Sequence, residues 1–338
     1  MKAVGFYQAL AVDDPQSLLD VEIPQPEPKP RDLLVRVQAI SVNPVDVKMR
    51  GRLAPAAGGA PHILGYDAVG MVEAVGAEAT MFKPGDAVFY AGALDRPGTN
   101  AEYHAVDERL VGPAPKTLSA GQAAALPLTA LTAWELLFDR LRVPYGRMAS
   151  EDAILIVNGA GGVGSILTQI ARRLTGLTVI ATASRPETEA WCREMGAHHV
   201  IDHRKPLDEG LRGIGVPQVR YVAGLTASDR HRDAIVASLA PQGALAMIDD
   251  PETFDIAPFK RKSLSVHWEL MFTRSLFGTP DMVEQHRILS EVSALVDAGV
   301  LRTTVREDMG PINAANLRRA HAAQESARAI GKTVLAGF

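Results

Sequence analysis

The residues best suited to chemistry lie in one run, Ile154-Leu155-Ile156-Val157-Asn158-Gly159-Ala160-Gly161-Gly162-Val163-Gly164-Ser165. Gly159, Gly161 and Gly164 fit G-x-G-x-x-G. In that pattern the first glycine makes a tight turn, the second lets backbone approach a pyrophosphate, and the third allows a helix to pack closely on a strand. A glycine-rich turn alone says little, so the flanks decide. The residues before it are apolar and strand-like. After it, Val163, Ile166, Leu167, Ile170, Ala171 and Leu174 step by three and four, which is one face of a helix. The start of such a helix offers free N–H groups and a positive dipole end to phosphates. Gly159, Ala160, Gly161, Gly162, Val163 and Gly164 are therefore expected to bind a dinucleotide.

The next apolar run, Thr178 to Ala183, ends where an Asp or Glu would hold the ribose 2′-hydroxyl of NAD. No acid stands there. Ser184 and Arg185 follow instead, a hydroxyl and a guanidinium whose fixed fork of donors suits a 2′-phosphate. NADP(H) is thus favoured over NAD(H); the competing reading of Arg185 is a solvated charge at a strand end.

These residues need elements to hold them. The chain has 338 residues, about two domains' worth, and 47% hydrophobic content against 22% charged is enough to bury a sizeable core. A net charge of −4 provides no basic field for nucleic acid or an anionic membrane. The one cysteine, Cys192, rules out an internal disulfide framework and a four-cysteine zinc site and fits a reducing compartment. No apolar leader follows Met1, and the longest uncharged stretch, 117–134, is interrupted by Gly121, Gln122 and Pro127, so the expected setting is cytoplasmic, with no membrane span.

Up to about Ala125 the signals are short β runs punctuated by Pro and Gly: Leu33 to Ala39, Ala68 to Val75, and Ala87 to Tyr90 after a Lys83-Pro84-Gly85-Asp86 turn. They predict a mostly antiparallel β unit. Ala123 to Phe138 reads as helix broken at Pro127. Beyond Ile154, strands at 178–183, 200–201, 220–223 and 244–248 alternate with helices opening at Pro186 and near Asp229, the order of a doubly wound parallel sheet. Leu264 to Leu270 is expected as an edge strand. Helices are expected at 282–298 and 313–329, with Lys332 to Leu335 returning as a strand to the first unit.

A β-rich N-terminal unit, an inserted Rossmann domain and a short C-terminal return resemble the medium-chain dehydrogenase/reductase superfamily over essentially the whole chain. Val42-Asn43-Pro44-Val45-Asp46, Gly65-Tyr66-Asp67-Ala68-Val69-Gly70, Leu131-Thr132-Ala133-Trp134, the glycine turn and Ala329-Ile330-Gly331-Lys332-Thr333-Val334-Leu335 resemble its quinone oxidoreductase branch and the zinc-type alcohol dehydrogenase-like proteins. The resemblance implies an α/β fold: a GroES-like catalytic domain over 1–125, a Rossmann NADP-binding domain over 126–273, and a return over 274–338 that completes the first.

In zinc-using members the position matching Asn43 is a cysteine ligand and that matching Tyr66 a histidine. Asn and Tyr do not replace thiolate and imidazole on a tetrahedral zinc, and the four-cysteine structural lobe is absent, so no metal is expected. His198, His199 and His203 straddle an expected strand and its turn and do not form a replacement cluster. Without a Lewis acid, alcohol oxidation loses its activator. Reduction of an electrophilic acceptor does not require one, and the expected reaction is hydride transfer from NADPH to a quinone or an α,β-unsaturated carbonyl.

By motif position, Tyr66 and the Asn43 amide are the candidate donors to the developing oxyanion, and Thr132 resembles a residue near the nicotinamide. The plainer readings are a core aromatic, a turn residue and an ordinary helix threonine. Asp46 matches a family position or is a loop acid. His203 is expected beside the 2′-phosphate, and Met247, Ile248 and Asp249 at a strand end facing the nicotinamide. Phe272, Thr273 and Arg274 are expected over the cofactor, and Lys332 at a cofactor phosphate. Loops 51–61 and 92–100 are expected to set acceptor choice. An unpaired apolar edge at Leu264 to Leu270 implies a homodimer, which family members commonly form there. The competing functions are a zinc alcohol dehydrogenase with unusual ligands and a non-catalytic NADPH-binding sensor or structural protein.

Overall fold

Short apolar runs broken by Pro and Gly become β1 (Lys2–Phe6), β2 (Leu19–Glu22), β3 (Asp32–Val42), β4 (His62–Ile63), β5 (Asp67–Val75), β6 (Ala87–Tyr90), β7 (Tyr103–Asp107) and β8 (Val111–Pro113). The structure, a computed structural model, describes residues 1–54, 59–146 and 148–338. They divide into unit 1, Met1–Leu131 with Phe272–Phe338, and unit 2, Thr132–Met271. The loop expected at 51–61 lies partly outside the described residues.

Of the elements of unit 1 that go beyond the sequence expectation, one bears on the site. Asn43-Pro44, read as a turn, opens helix α1 (Pro44–Arg52). The signals for it are local. Proline at the first helical position needs no N–H partner, Asp46 in the first turn accepts from the Asn43 N–H at 2.8 Å, and Arg50 and Arg52 complement the C-terminal end. The helical stretch predicted from Ala123 is interrupted as expected: α2 (Ala120–Ala124) stops before Pro127, and α3 (Pro127–Trp134) begins on it.

Unit 2 carries β9 (Ala153–Val157), α4 (Gly162–Leu174), β10 (Thr178–Thr182), α5 (Pro186–Glu194), β11 (His199–Ile201), α6 (Leu207–Gly213), β12 (Val219–Gly224), α7 (Ser228–Ser238), β13 (Leu239–Met247) and β14 (Ser265–Trp268). Every pairing in its sheet is parallel, in the order β11-β10-β9-β12-β13-β14. This is the doubly wound order whose direction reverses beside the first strand. All five residues of β9 are buried, as a strand covered on both faces requires. Leu155, Val157, Ile180, Ile235, Leu245 and Met247 share one core cluster. Each such side chain contributes roughly 1.5–3 kcal/mol by leaving water.

After α8 (Thr273–Leu276) and α9 (Glu284–Asp297), β15 (Val305–Asp308), α10 (Ala314–Glu325) and β16 (Lys332–Ala336) finish unit 1. Its larger sheet runs β15-β16-β3-β5-β6-β8 with β7 also on β3, and every pairing but β15 with β16 is antiparallel. A smaller antiparallel sheet runs β2-β1-β4. The long strand β3 pairs with β5 along one edge. Along the other it pairs with β7 over its first half and with β16 over its second. Thr333 stands opposite Val42, and Ser41 opposite Asp67. These two registers decide what meets at the end of β3.

Candidate functional site

In unit 2 the chain leaves β9 through Asn158, whose φ of 67° is left-handed, and turns at once into α4. The Asn158 N–H donates to Thr182 Oγ1 at 2.9 Å and the Gly159 N–H to the Thr182 carbonyl at 3.1 Å, so the end of β10 pins the turn. A Cβ at Gly159 would lie 2.6 Å from the Ala181 Cβ, and one at Gly164 would lie 2.4 Å from the Asn158 carbonyl oxygen. Both are closer than real atoms approach, so glycine is required by the packing beneath the turn. Gly161 caps α4, with no side chain over its first N–H groups. Gly162, Val163 and the buried Ala160 complete a backbone cradle that fits a pyrophosphate.

Around this turn the parallel sheet carries Ser184, Arg185, His203 and residues 247–249 at its C-terminal edge, whereas Phe272, Thr273, Arg274 and Lys332, also expected at the cofactor, belong to unit 1. Ser184 and Arg185 follow β10. The Arg185 N–H donates to Thr188 Oγ1 at 3.1 Å, and its half-buried guanidinium lies 3.2 Å from Glu187. His203 follows β11, its Nδ1 3.2 Å from Thr182 Oγ1. Thr182 thus touches both the turn and His203, a link that sequence reasoning missed. It also missed His231, on α7, whose ring centroid is 6.4 Å from that of His203. Burial, then the neighbouring His231, hold His203 below the usual imidazole range.

Met247 ends β13 in the core. The Ile248 N–H donates to the Gly224 carbonyl at 3.1 Å, and Asp249 accepts from the Ser228 N–H and hydroxyl at 2.7 and 2.8 Å. The Asp249 carboxylate therefore serves the start of α7. Thr132 is buried on α3. Cys192 is buried beneath the turn, its thiol pushed up to about 12 by burial, which marks it as structural. His198 accepts the Val179 N–H at 2.9 Å and is likewise part of the scaffold.

In unit 1 the registers of β3 assemble a buried polar cluster. Asp67, fully buried, accepts from Ser41 Oγ at 2.6 Å, from Asn43 Nδ2 at 2.8 Å and from the Leu128 N–H at 2.7 Å. Lys332 enters from β16, one residue beyond the Thr333–Val42 pair. Its ammonium donates to the Val42 carbonyl at 2.7 Å and to Asn43 Oδ1 at 2.5 Å, and lies 3.3 Å from Asp67 Oδ2. Burial pulls Lys332 below the usual lysine range, with Asp67 and Asp46 opposing that pull. The second Asn43 amide hydrogen faces the Ser41 carbonyl at 3.4 Å. Asn43 therefore has partners on both sides of its carboxamide, and Lys332, expected at a cofactor phosphate, has three acceptors inside unit 1. The sequence signal for the cluster was the presence of Asp67 and Lys332 within two of the quoted motifs; what the sequence lacked was the register joining them.

Beside the cluster, the Tyr66 ring is buried and packs edge-on against Phe272, centroids 5.2 Å apart at 62°. Among the described residues its hydroxyl makes no hydrogen bond. Burial, then the Asp46 charge, push the phenol above its ordinary value, so Tyr66 keeps its proton at neutral pH and that proton is available to an acceptor. Burial raises Asp46 itself to about 7. One of its oxygens has no hydrogen-bond partner. Thr273 and Arg274 begin α8, where Arg274 pairs with Asp281 at 3.1 Å. Among the described residues no group of three His, Cys, Asp or Glu is placed to hold a metal, and no helix is long and apolar enough to cross a membrane.

Comparison with known proteins gives a consistent picture. Residues 29–116 match the alcohol dehydrogenase GroES-like domain, and residues 195–335 match the zinc-binding dehydrogenase family. A zinc-type alcohol dehydrogenase-like protein of Staphylococcus aureus (strain MSSA476) is 39% identical over 99% of both chains. The crystal structure of a Rhizobium etli CFN 42 protein, named as a candidate zinc-dependent alcohol dehydrogenase, superposes with a TM-score of 0.96 at 56% identity, covering 100% of this chain and 98% of that one. Escherichia coli quinone oxidoreductase complexed with NADPH superposes with a TM-score of 0.83 at 26% identity, covering 99% of this chain and 100% of that one.

These names raise the question of zinc. The donors here are a carboxamide whose oxygen holds an ammonium, a phenol, and a carboxylate already accepting from four groups. A positive charge lies among them, and that set does not fit a zinc ion, which takes thiolate, imidazole or open carboxylate ligands.

Proposed function

The chain belongs to the medium-chain dehydrogenase/reductase superfamily and is an oxidoreductase of it; from that premise we propose that it is a zinc-independent, NADPH-dependent reductase of quinones or α,β-unsaturated carbonyls. The observation that carries the proposal is the Tyr66 hydroxyl, a protonated donor whose ring is buried and fixed against Phe272 while its hydrogen has no acceptor among the described residues. Such a donor suits an oxygen on which negative charge develops.

Gly159 to Gly164 and the start of α4 would hold the pyrophosphate of NADP(H), with Ser184, Arg185 and His203 at the 2′-phosphate. The backbone of Met247, Ile248 and Asp249, together with Thr132, would line the nicotinamide end. Bound NADPH would supply the hydride. Tyr66 donates a hydrogen bond to the acceptor oxygen, and Phe272 with Thr273 and Arg274 excludes water from it. Asn43 orients the cluster behind Tyr66. Buried, thiol-inert Cys192 suits a reducing, cytoplasmic setting.

The test is anaerobic NADPH oxidation against a panel of quinones, enones and simple aldehydes, with wild type and Tyr66→Phe. Turnover is expected with quinones or enones, and the variant should lose about 100-fold in kcat at unchanged KM for NADPH. Silence across the panel, or full activity in the variant, would overturn the reading. The proposal extends to a homodimer paired along β14, which ends its sheet and leaves Trp268 and Leu270 about half exposed. A monomer in sedimentation at micromolar concentration would remove that part.

A further inference from the structure

We propose that Lys332 is the resident cation of the unit 1 cluster and a positioning residue for Tyr66, a tethered ammonium seated beside Asn43 and Asp67. The inference rests on the reductase reading for its kinetic consequence, but its structural half stands apart from any acceptor.

The geometry is that of a cation enclosed by oxygen. The ammonium is surrounded by the Val42 carbonyl, Asn43 Oδ1 and Asp67 Oδ2, one acceptor for each of its three hydrogens. Lys332 is 4% exposed, and Asn43 and Asp67 are fully buried, so the charges face one another with little water to screen them. The groups come from distant parts of unit 1: β3 supplies Ser41 and Val42, Asn43 follows it as the cap of α1, β5 supplies Asp67, β16 supplies Lys332, and the Leu128 N–H belongs to the first turn of α3.

Tyr66 is the residue before Asp67, and their shared peptide is fixed when the Asp67 carboxylate is fixed. The path from Lys332 to Tyr66 is therefore short. The ammonium holds Asp67 Oδ2 and turns the Asn43 carboxamide so that its N–H meets the same oxygen. Asp67 then sets the backbone from which the phenol projects against Phe272. Lys332 touches neither acceptor nor cofactor in this scheme; it acts through Asp67. A free divalent ion would need the carboxylate and carboxamide oxygens that the ammonium already occupies.

The experiment uses the full-length protein, Lys332→Met, and the double variant Lys332→Met/Asp67→Asn, which removes both buried charges and restores the folded state that the single change endangers. In the double variant, with thermal stability recovered, kcat for the best quinone or enone is expected to stay about 30- to 100-fold down while the Kd for NADPH holds within about twofold. In its crystal structure the Tyr66 ring should have left its edge-on contact with Phe272. Recovery of kcat together with stability would overturn the positioning role. Dialysis of wild type against zinc, followed by elemental analysis, reads the other half: less than one-tenth equivalent is expected, and one tightly held equivalent would overturn the resident-cation assignment. If wild type turns over no acceptor, the reductase reading fails by itself, and the Tyr66 displacement and the zinc content still decide this one.

Discussion

The glycine turn of unit 2 is made from neighbours in sequence, residues 158–165, whereas the polar cluster of unit 1 gathers residues 41–46, 66–67, 128 and 332. The turn works through backbone: small residues let N–H groups face a ligand, and the exclusion of Cβ atoms enforces the choice. The cluster works through side chains whose meeting depends on strand registers set across most of the chain. The first kind of site is robust to its surroundings and fragile to a single added methyl. The second tolerates no change that leaves one buried charge without its partner.

That contrast can be attacked first in unit 2. Gly164→Val places carbon against the Asn158 and Gly159 carbonyl oxygens and should weaken NADPH binding about 100-fold by fluorescence titration, equivalent to ~2.7 kcal/mol. If the sites are independently built, hydrogen exchange at Asp67 and Asn43 will be unchanged; loss of protection there would break the comparison. A smaller effect sharpens it within the same unit: Arg185→Ala should lower the NADPH-over-NADH preference about 10-fold, leaving the NADH constants alone.

The remaining effect, on stability rather than on binding, belongs to unit 1 and to Asp46. Its ordinary value is 3.8 and burial raises it to about 7, so across that interval the folded protein holds a proton that the unfolded chain has released. Its contribution to stability is complete below about pH 4 and is lost as the pH rises through about 7. Asp46→Asn should flatten that decline by a few kcal/mol at most, on the order of one pKa unit per 1.4 kcal/mol, in urea unfolding at stepped pH. His104 and His321, held neutral by burial at about 4 and about 3, destabilise in the opposite sense as the pH falls below 6.5, and the variant leaves them as an internal control. A decline unchanged in Asp46→Asn would mean that the carboxyl is ionised in the folded state.

The same contrast explains what could be read from the chain alone. Period-two and period-3.6 patterning, Pro and Gly punctuation, and the glycine fingerprint are local, and they predicted the parallel sheet, α4, α5, α7 and the returning strand at Lys332. Helix α1 lies outside the sequence expectation although Asn43, Pro44 and Asp46 spell its start, because Asn-Pro on its own also reads as a turn and Asp46 as a loop acid. The partners of Lys332 were not legible at all. A lysine near a phosphate site and a lysine locked to Asn43 have the same sequence, and only the Thr333–Val42 register distinguishes them. Thr182 and His231 escaped notice for a related reason: an ordinary strand threonine and an ordinary helix histidine become significant only when parallel strands bring their C-terminal ends together.

The placement of Lys332 on β16 also fixes the order in which a ribosome can deliver the two regions. Unit 2 is one continuous stretch, and its turn is complete in covalent terms well before the last strand exists. Asp67, by contrast, is synthesised early and waits through all of unit 2 for its counter-charge. Until β16 emerges and docks on β3, the Asp67 carboxylate lacks the ammonium that faces it in the folded chain, and burying it without that partner would be costly.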